Sequence, residues 1–321
     1  MPAQGGIPWQ TESVIVLACP GQGSQTPGFL TPWLELAGAR ERLQAYSDAA
    51  QVDLIAHGTE SDADTIRDTS IAQPLIVAAS LLAFHALGDA ASRAGGVAGH
   101  SVGEVAALAA TGIVSDEHAM HLVGERGRAM AAAAAEAATG MAAVVGGVES
   151  DVLAAIADAG LEPANFNGGG QIVAAGSVEG LAALGDNAPR GARVIPLQVA
   201  GAFHTRYMAS ARPALQSAVE AASADGVLAP DRTLWTNSDG TVITDGNRAL
   251  ELIVHQITSP VRWDLCMASF ADAGITGMIE LAPAGALVGL AKRGLRGVPT
   301  VAVKTPDDLE AAVAMLNGEN A

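Results

Sequence analysis

Apolar and polar positions along the chain fall into two kinds of stretch. Short continuous apolar runs suit strands buried on both faces. They occur at residues 14–19, 97–98, 278–281 and 300–303. Between them lie stretches with helical character. Residues 69–87 read as a strongly apolar helix, with Gln73-Pro74 near its first turn. Another helix opens at Ser115-Asp116-Glu117, a capping serine followed by acids in the first turn, and runs through Arg126 and Arg128 to the alanines at 131–135. Helices are predicted over 206–224, with Pro213 marking a break or a late start, and over 248–257, 264–273, 286–295 and 307–316. Short strands are predicted at 233–236 and 241–243, and residues 32–68 form a polar amphipathic region. Residues 1–12 read as a loose leader. Strand–helix alternation of this kind predicts an α/β fold with a mostly parallel sheet.

The middle of the chain has a different character. Residues 141–148 alternate as a strand, 150–159 are helical, 163–166 are extended, 171–175 form a strand, 178–184 a helix and 192–199 a strand. The order β-α-β-β-α-β is that of a ferredoxin-like unit. It predicts a small subdomain, residues 135–200, inserted into a discontinuous core of residues 1–134 and 201–321.

Composition narrows the function. Half of the 321 residues are apolar and aromatics are 3%, so the core must be aliphatic and alanine-rich. The net charge of −17 disfavours a general nucleic-acid binder. An anionic substrate then needs a local cationic site against an unfavourable field. Cys19 and Cys266 supply neither a disulfide framework nor metal-ligand spacing. They suit a reducing, cytoplasmic setting. No Lys or Arg precedes Arg40, so the charged start of a signal peptide is missing. Residues 130–148, interrupted by Glu136, Thr139 and Gly140, make a poor membrane span.

The chemistry centres on Gly99-His100-Ser101-Val102-Gly103-Glu104. Its Gly-x-Ser-x-Gly form is that of a nucleophile elbow, a sharp strand-to-helix turn with the serine at its apex. A helix starting at Ser101 would aim its free N–H groups at an oxyanion forming there. A serine nucleophile needs a general base. His204, in Gly201-Ala202-Phe203-His204-Thr205, follows a predicted strand where a loop can present it; the plainer alternative is a half-buried histidine bonded to backbone. His100 reads as structural, and His118 and His121 as a solvated helix face. By position, the Val102 amide is one oxyanion donor. The Gln22 amide, in Pro20-Gly21-Gln22-Gly23-Ser24-Gln25, is the second if that loop shares the sheet edge. Arg126 stands between Gly124 and Gly127, which cost helix stability but allow close approach. A bidentate arginine would select a carboxylate; a solvated arginine is the alternative.

Together these stretches resemble the malonyl-CoA:acyl-carrier-protein transacylases and related acyltransferase domains of fatty-acid and polyketide synthases. The match runs from about Val14 to Val303, with motifs in family order: Pro20 to Gln25, Gln73-Pro74, Gly99 to Glu104, Arg126-Gly127, Asn165-Phe166-Asn167 with Gln171, Phe203-His204, and Gln256 to Trp263. The resemblance implies an α/β-hydrolase-like core with a ferredoxin-like insert. It implies Ser101 as nucleophile, His204 as base and then acid, Arg126 as partner of the malonyl carboxylate, and Gln22 and Val102 amides as the oxyanion hole. It also implies that the Gln256 carbonyl orients His204, that Asn165 and Gln73 shape the site, and that Phe203 crowds an α-methyl group. The implied reaction is ping-pong transfer of malonyl from malonyl-CoA to the phosphopantetheine thiol of acyl carrier protein. Coenzyme A thioester is then a substrate, no metal or other cofactor is expected, and the chain is expected to act as a monomer. Lys292, Arg293, Arg296, Arg190 and Arg193 are candidate docking cations for an acidic carrier.

Two departures concern loop shape. Gly168-Gly169-Gly170-Gln171 lacks the proline usual before Gly-Gln, and Ala282-Pro283-Ala284-Gly285 is looser than Gly-Pro-Gly. The rival readings are a serine hydrolase or thioesterase on a similar core, and a carrier-binding scaffold. A hydrolase would use an acid before the histidine in chain order, for which Asp158 and Asp186 are the candidates.

Overall fold

The apolar run at residues 14–19 becomes the middle of a sheet, because both of its faces need cover. The computed structural model describes residues 14–224 and 226–319; the leader expected at 1–12 lies outside the described residues. β1 (Ile15–Cys19) leads to α1 (Ala39–Ala50), α2 (Leu54–Thr59) and α3 (Thr69–Ala86). β2 (Gly96–Gly99), α4 (Gly103–Ala110) and α5 (Asp116–Ala134) follow. Next come β3 (Thr139–Gly146), α6 (Glu149–Asp158), β4 (Glu162–Gly168), β5 (Gln171–Ser177), α7 (Val178–Asp186) and β6 (Ala192–Pro196). Then α8 (Arg212–Ser223), β7 (Thr233–Trp235), β8 (Val242–Ile243), α9 (Gly246–Gln256) and β9 (Val261–Arg262). α10 (Trp263–Asp272), β10 (Gly277–Glu280), α11 (Ala286–Gly294), β11 (Thr300–Ala302) and α12 (Leu309–Leu316) complete the chain.

The first sheet has the order β11-β10-β1-β2-β7-β8 and is parallel except for β7–β8. Cys19 pairs with Gly99. The loop after β1 and the turn after β2 therefore leave the sheet side by side, at the carboxyl edge where open α/β sheets carry their sites. α3 is capped by Asp68, whose carboxylate accepts from the Ser70 amide at 2.8 Å. It is long and apolar enough to cross a membrane, but it is largely buried here, packed against α4 and α5.

The second sheet has the order β6-β3-β5-β4-β9. Within β3 to β6 this is the fourth, first, third and second strand of the unit, all antiparallel. β9 joins β4 in parallel, so the sheet draws a strand from beyond residue 200. Strand alternation divides its side chains. Val144, Ile172 and Ala174 pack with Val152, Ile156 and Leu184 of α6 and α7. Met141, Ala143 and Val173 face the other way, into the main core.

Several predicted boundaries shift for local reasons. β3 ends at Gly146 because Gly146 and Gly147 take φ of +87° and +78°. The helix expected from residue 206 divides into a 3-10 turn, Arg206–Ala211, and α8, with Pro213 in the first turn where its missing N–H costs nothing. The helix expected to start at Ser101 starts at Gly103, since Ser101 itself adopts φ +53° in the left-handed region.

The elbow admits no side chain at its two glycines. A Cβ on Gly99 would lie 2.1 Å from the Gly103 carbonyl carbon, and one on Gly103 would lie 2.1 Å from the Cys19 carbonyl oxygen. These contacts are backbone, so no side chain can turn aside. Gly103→Ala should destabilise the protein by about 3 kcal/mol or more, the upper end of overpacking costs. Gly185, in α7 with nothing within 4 Å of its Cβ position, is the control: Gly185→Ala should stabilise by about 0.5–1 kcal/mol. Urea unfolding midpoints check both.

Candidate active site

Ser101 and His204 lie far apart in sequence and meet at the carboxyl edge of the first sheet. The Ser101 hydroxyl is 2.7 Å from His204 Nε2. Nδ1 of the same ring is 2.8 Å from the Gln256 main-chain carbonyl. A carbonyl can only accept, so Nδ1 carries the proton and Nε2 offers its lone pair to the serine. Like Ser101, His204 has positive φ, +61°. Two non-glycine residues in this region store strain that the surrounding packing must hold. Burial, reinforced by the nearby Arg126 charge, brings the His204 pKa down to about 3. The imidazole is therefore neutral at all ordinary pH.

Both residues line a cavity of about 400 Å³ together with Gly21, Gln22, Val102 and Arg126. Neither the Gln22 nor the Val102 amide is used in another hydrogen bond among the described residues. The Gln22 side chain turns away, donating to the Arg67 carbonyl at 3.2 Å. Phe203, Asn165, Gln73 and Arg293 also line the cavity, as do Met141, Ala143 and Val173 from the second sheet.

Arg126 is 1% exposed. Its guanidinium donates to the side-chain oxygens of Gln73 and Gln256, the latter at 2.6 Å, and its Nε–H has no partner. No carboxylate of the described residues is in ion-pair contact with it. Burial lowers its pKa to about 10, so it stays charged. The glycines beside it serve helix packing: a Cβ on Gly124 would lie 2.4 Å from the Ala50 carbonyl, and one on Gly127 3.0 Å from that of Thr69. The close approach they allow is by α1 and α3. It brings Gln73 of α3 onto Arg126.

Gln256 binds these parts together. Its main-chain carbonyl holds His204 and its side-chain oxygen holds Arg126. Its Nε2 donates to the Ser101 carbonyl at 3.0 Å, to Glu104 at 2.7 Å and to Asn237 at 3.3 Å. Glu104 and Asn237 were not among the sequence-derived site residues. Glu104 had a signal: it is the one charge in α4, an otherwise apolar eight-residue helix. Asn237 had none.

The other sequence candidates fall outside this cluster or beside it. His100 is half-buried, packs edge to face on Trp263 and bonds Asn167 at 2.9 Å, as a structural histidine would, and its ring also lines the cavity. His118 and His121 are half-exposed on α5. Asp158 and Asp186 are exposed on α6 and α7, so neither supports His204. Gly169, where the resembling family carries proline, has φ +57° between two further left-handed glycines. Proline, with φ near −65°, could not occupy it.

A family model described as "Acyl transferase domain" matches residues 16–314. Malonyl CoA-acyl carrier protein transacylase of Mycobacterium tuberculosis is 48% identical over 300 residues, covering 92% of this chain and 98% of that protein. The Bacillus subtilis protein of the same name is 31% identical over 317 residues, 96% of this chain and 99% of its own. The crystal structure of MCAT from Mycobacterium tuberculosis superposes with a TM-score of 0.90 at 46% identity, covering 94% of this chain and 99% of that one. A strained serine on a β–α turn, a neutral histidine at its hydroxyl and a match over nearly the whole chain lead to one conclusion: the chain belongs to the acyl transferase domain family.

Proposed function

We infer that the protein transfers the malonyl group of malonyl-CoA to the phosphopantetheine thiol of acyl carrier protein, through a malonyl-serine at Ser101. The observation that carries this reading is Arg126, a buried cation with no carboxylate partner among the described residues, in the cavity that holds the Ser101–His204 pair. An unpaired charge in the interior is costly. A substrate bearing its own carboxylate supplies the missing partner, and malonyl does so while an acetyl group does not. The names borne by the Mycobacterium tuberculosis and Bacillus subtilis relatives point to the same donor and acceptor.

In the proposed mechanism His204 Nε2 takes the Ser101 proton as Oγ attacks the thioester carbonyl. The Val102 and Gln22 amides hold the oxyanion. The intermediate collapses, the C–S bond breaks, and His204 returns its proton to the departing coenzyme A thiolate. The carrier thiol then reverses the sequence: His204 deprotonates it, it attacks the acyl-serine, and Ser101 leaves with the proton. Gln256 orients the imidazole through its carbonyl, and Gln73 and Gln256 hold Arg126 for the malonyl carboxylate. Phe203 and Asn165 bound the pocket. The chemistry needs no metal or added cofactor. The buried thiols of Cys19 and Cys266 suit the cytoplasm, and the chain is expected to act as a monomer. Arg293 at the cavity and exposed Lys292, Arg296, Arg190 and Arg193 are the cations offered to an acidic carrier.

Intact-protein mass spectrometry tests the intermediate. Malonyl-CoA should add one malonyl group at Ser101, carrier protein should remove it, and Ser101→Ala should show no adduct. An adduct released only to water would mean a hydrolase. Arg126→Ala should lose about 2–5 kcal/mol of transition-state binding for malonyl-CoA and far less for acetyl-CoA; equal losses in kcat/KM would remove Arg126 from carboxylate binding. The depressed His204 pKa has its own signature. Sulfonylation of Ser101 by phenylmethylsulfonyl fluoride should hold its rate from pH 8 down to pH 5. A histidine of ordinary pKa would lose about 30-fold over that range.

A further inference from the structure

Glu104 takes no part in the chemistry above, yet it lies at the centre of the buried polar cluster. Its carboxylate is 5% exposed. One oxygen accepts from the Asn237 main-chain amide at 2.6 Å and the other from Gln256 Nε2 at 2.7 Å. Gln256 can turn its amide either way. With Nε2 toward Glu104, its oxygen faces Arg126; turned over, it would set an NH2 group against the guanidinium. The Ser101 carbonyl and Asn237 oxygen also accept from Nε2, at 3.0 and 3.3 Å. The carboxylate is the closest acceptor and the one with a charge, and charge-assisted bonds are about twice as strong as neutral ones.

We propose that Glu104 is a positioning residue: its carboxylate sets the amide orientation of Gln256, and through it the placement of Arg126 for the acyl carboxylate. The proposal rests on the malonyl-transfer reading and adds the residue that holds its selectivity. Burial pushes the Glu104 pKa up to about 7, so the arrangement is also sensitive to pH. The charged or titratable groups that act on it or feel its charge are Arg126 from α5 and Cys266 from α10; Thr236, Asn237 and Gln256 contribute neutral hydrogen bonds. Above pH 7 the carboxylate is ionised and accepts at both oxygens. Below pH 7 it gains a proton, and the donor that faces the protonated oxygen must give way.

Glu104→Gln makes the same change at constant size. The Asn237 amide is main chain and cannot turn, so the glutamine carbonyl must face it. The new NH2 then faces Gln256 Nε2, donor against donor. Either that contact opens or Gln256 turns over onto Arg126, and both loosen the guanidinium. The experiment compares kcat/KM for malonyl-CoA and acetyl-CoA in the wild type and in Glu104→Gln. Effects on Ser101 and His204 cancel in the ratio of the two donors. The malonyl-to-acetyl ratio should fall at least about tenfold in the variant, the cost of leaving one buried donor unpaired. A ratio unchanged or raised, whatever the loss of overall rate, overturns the role. Should Glu104→Gln fail to fold, the same ratio in the wild type decides. It should fall between pH 8 and pH 6, and a flat or rising ratio overturns the proposal. Wild-type protein that takes no malonyl onto Ser101 would overturn the transfer reading instead.

Discussion

A guanidinium buried to 1% exposure, with no ion-pair partner among the described residues, is the constraint around which this site is built. Desolvating such a charge is expensive, and pairing it permanently with a carboxylate would fill the place a substrate must take. The protein uses neutral oxygens instead. The Gln73 and Gln256 side chains accept from Arg126, and a carboxylate stands one residue further back, at Glu104. That arrangement keeps the cation charged and fixed in direction while leaving N–H groups unspent.

The same cluster holds the reacting pair. Gln256 reaches Ser101 through its side chain and His204 through its main chain. Ser101, His204 and Arg126 thus share one anchor. The left-handed backbone at Ser101 is held by close main-chain packing where Gly103 meets the Cys19 carbonyl, while the His204 ring is held by its bonds to Ser101 and the Gln256 carbonyl. A carbonyl sets the tautomer of His204. The buried imidazole stays neutral, since burial and the Arg126 charge both disfavour a proton.

Much of the site was legible in the residues. The elbow could be read because its spacing has a steric cause, and the cause appears as clashes at both glycines. His204 could be read because it follows the inserted unit, although the strand expected to run to residue 199 ends at Pro196 and leaves His204 in a longer loop. Gln22 followed from the expectation that the loops after β1 and β2 are neighbours, which the Cys19–Gly99 pairing bears out. The glycines around Arg126 were read correctly as permitting close contact, but the contact is with α1 and α3. Glu104 and Asn237 were missed for different reasons. A lone carboxylate in an apolar helix announces burial without naming its partner, and Asn237 lies in a loop with no pattern at all.

Local sequence determined the elements, their order and the chemical types available. Apolar runs, capping residues such as Asp68 and Ser115, and breakers such as Pro213 act over a few residues, so a linear reading captures them. The order of strands in both sheets, the addition of β9 beside β4, and the meeting of Gln73, Glu104, Arg126 and Gln256 depend on contacts between distant segments, 53 to 152 residues apart within that cluster. Such contacts depend on which faces pack together, and on which hydrogen-bond acceptor each buried donor finds once water is gone. A periodic pattern records that a face is buried. Only the folded chain decides what it is buried against, and for this protein that decision set the Arg126 guanidinium between Gln73 and Gln256, in the cavity that holds Ser101 and His204.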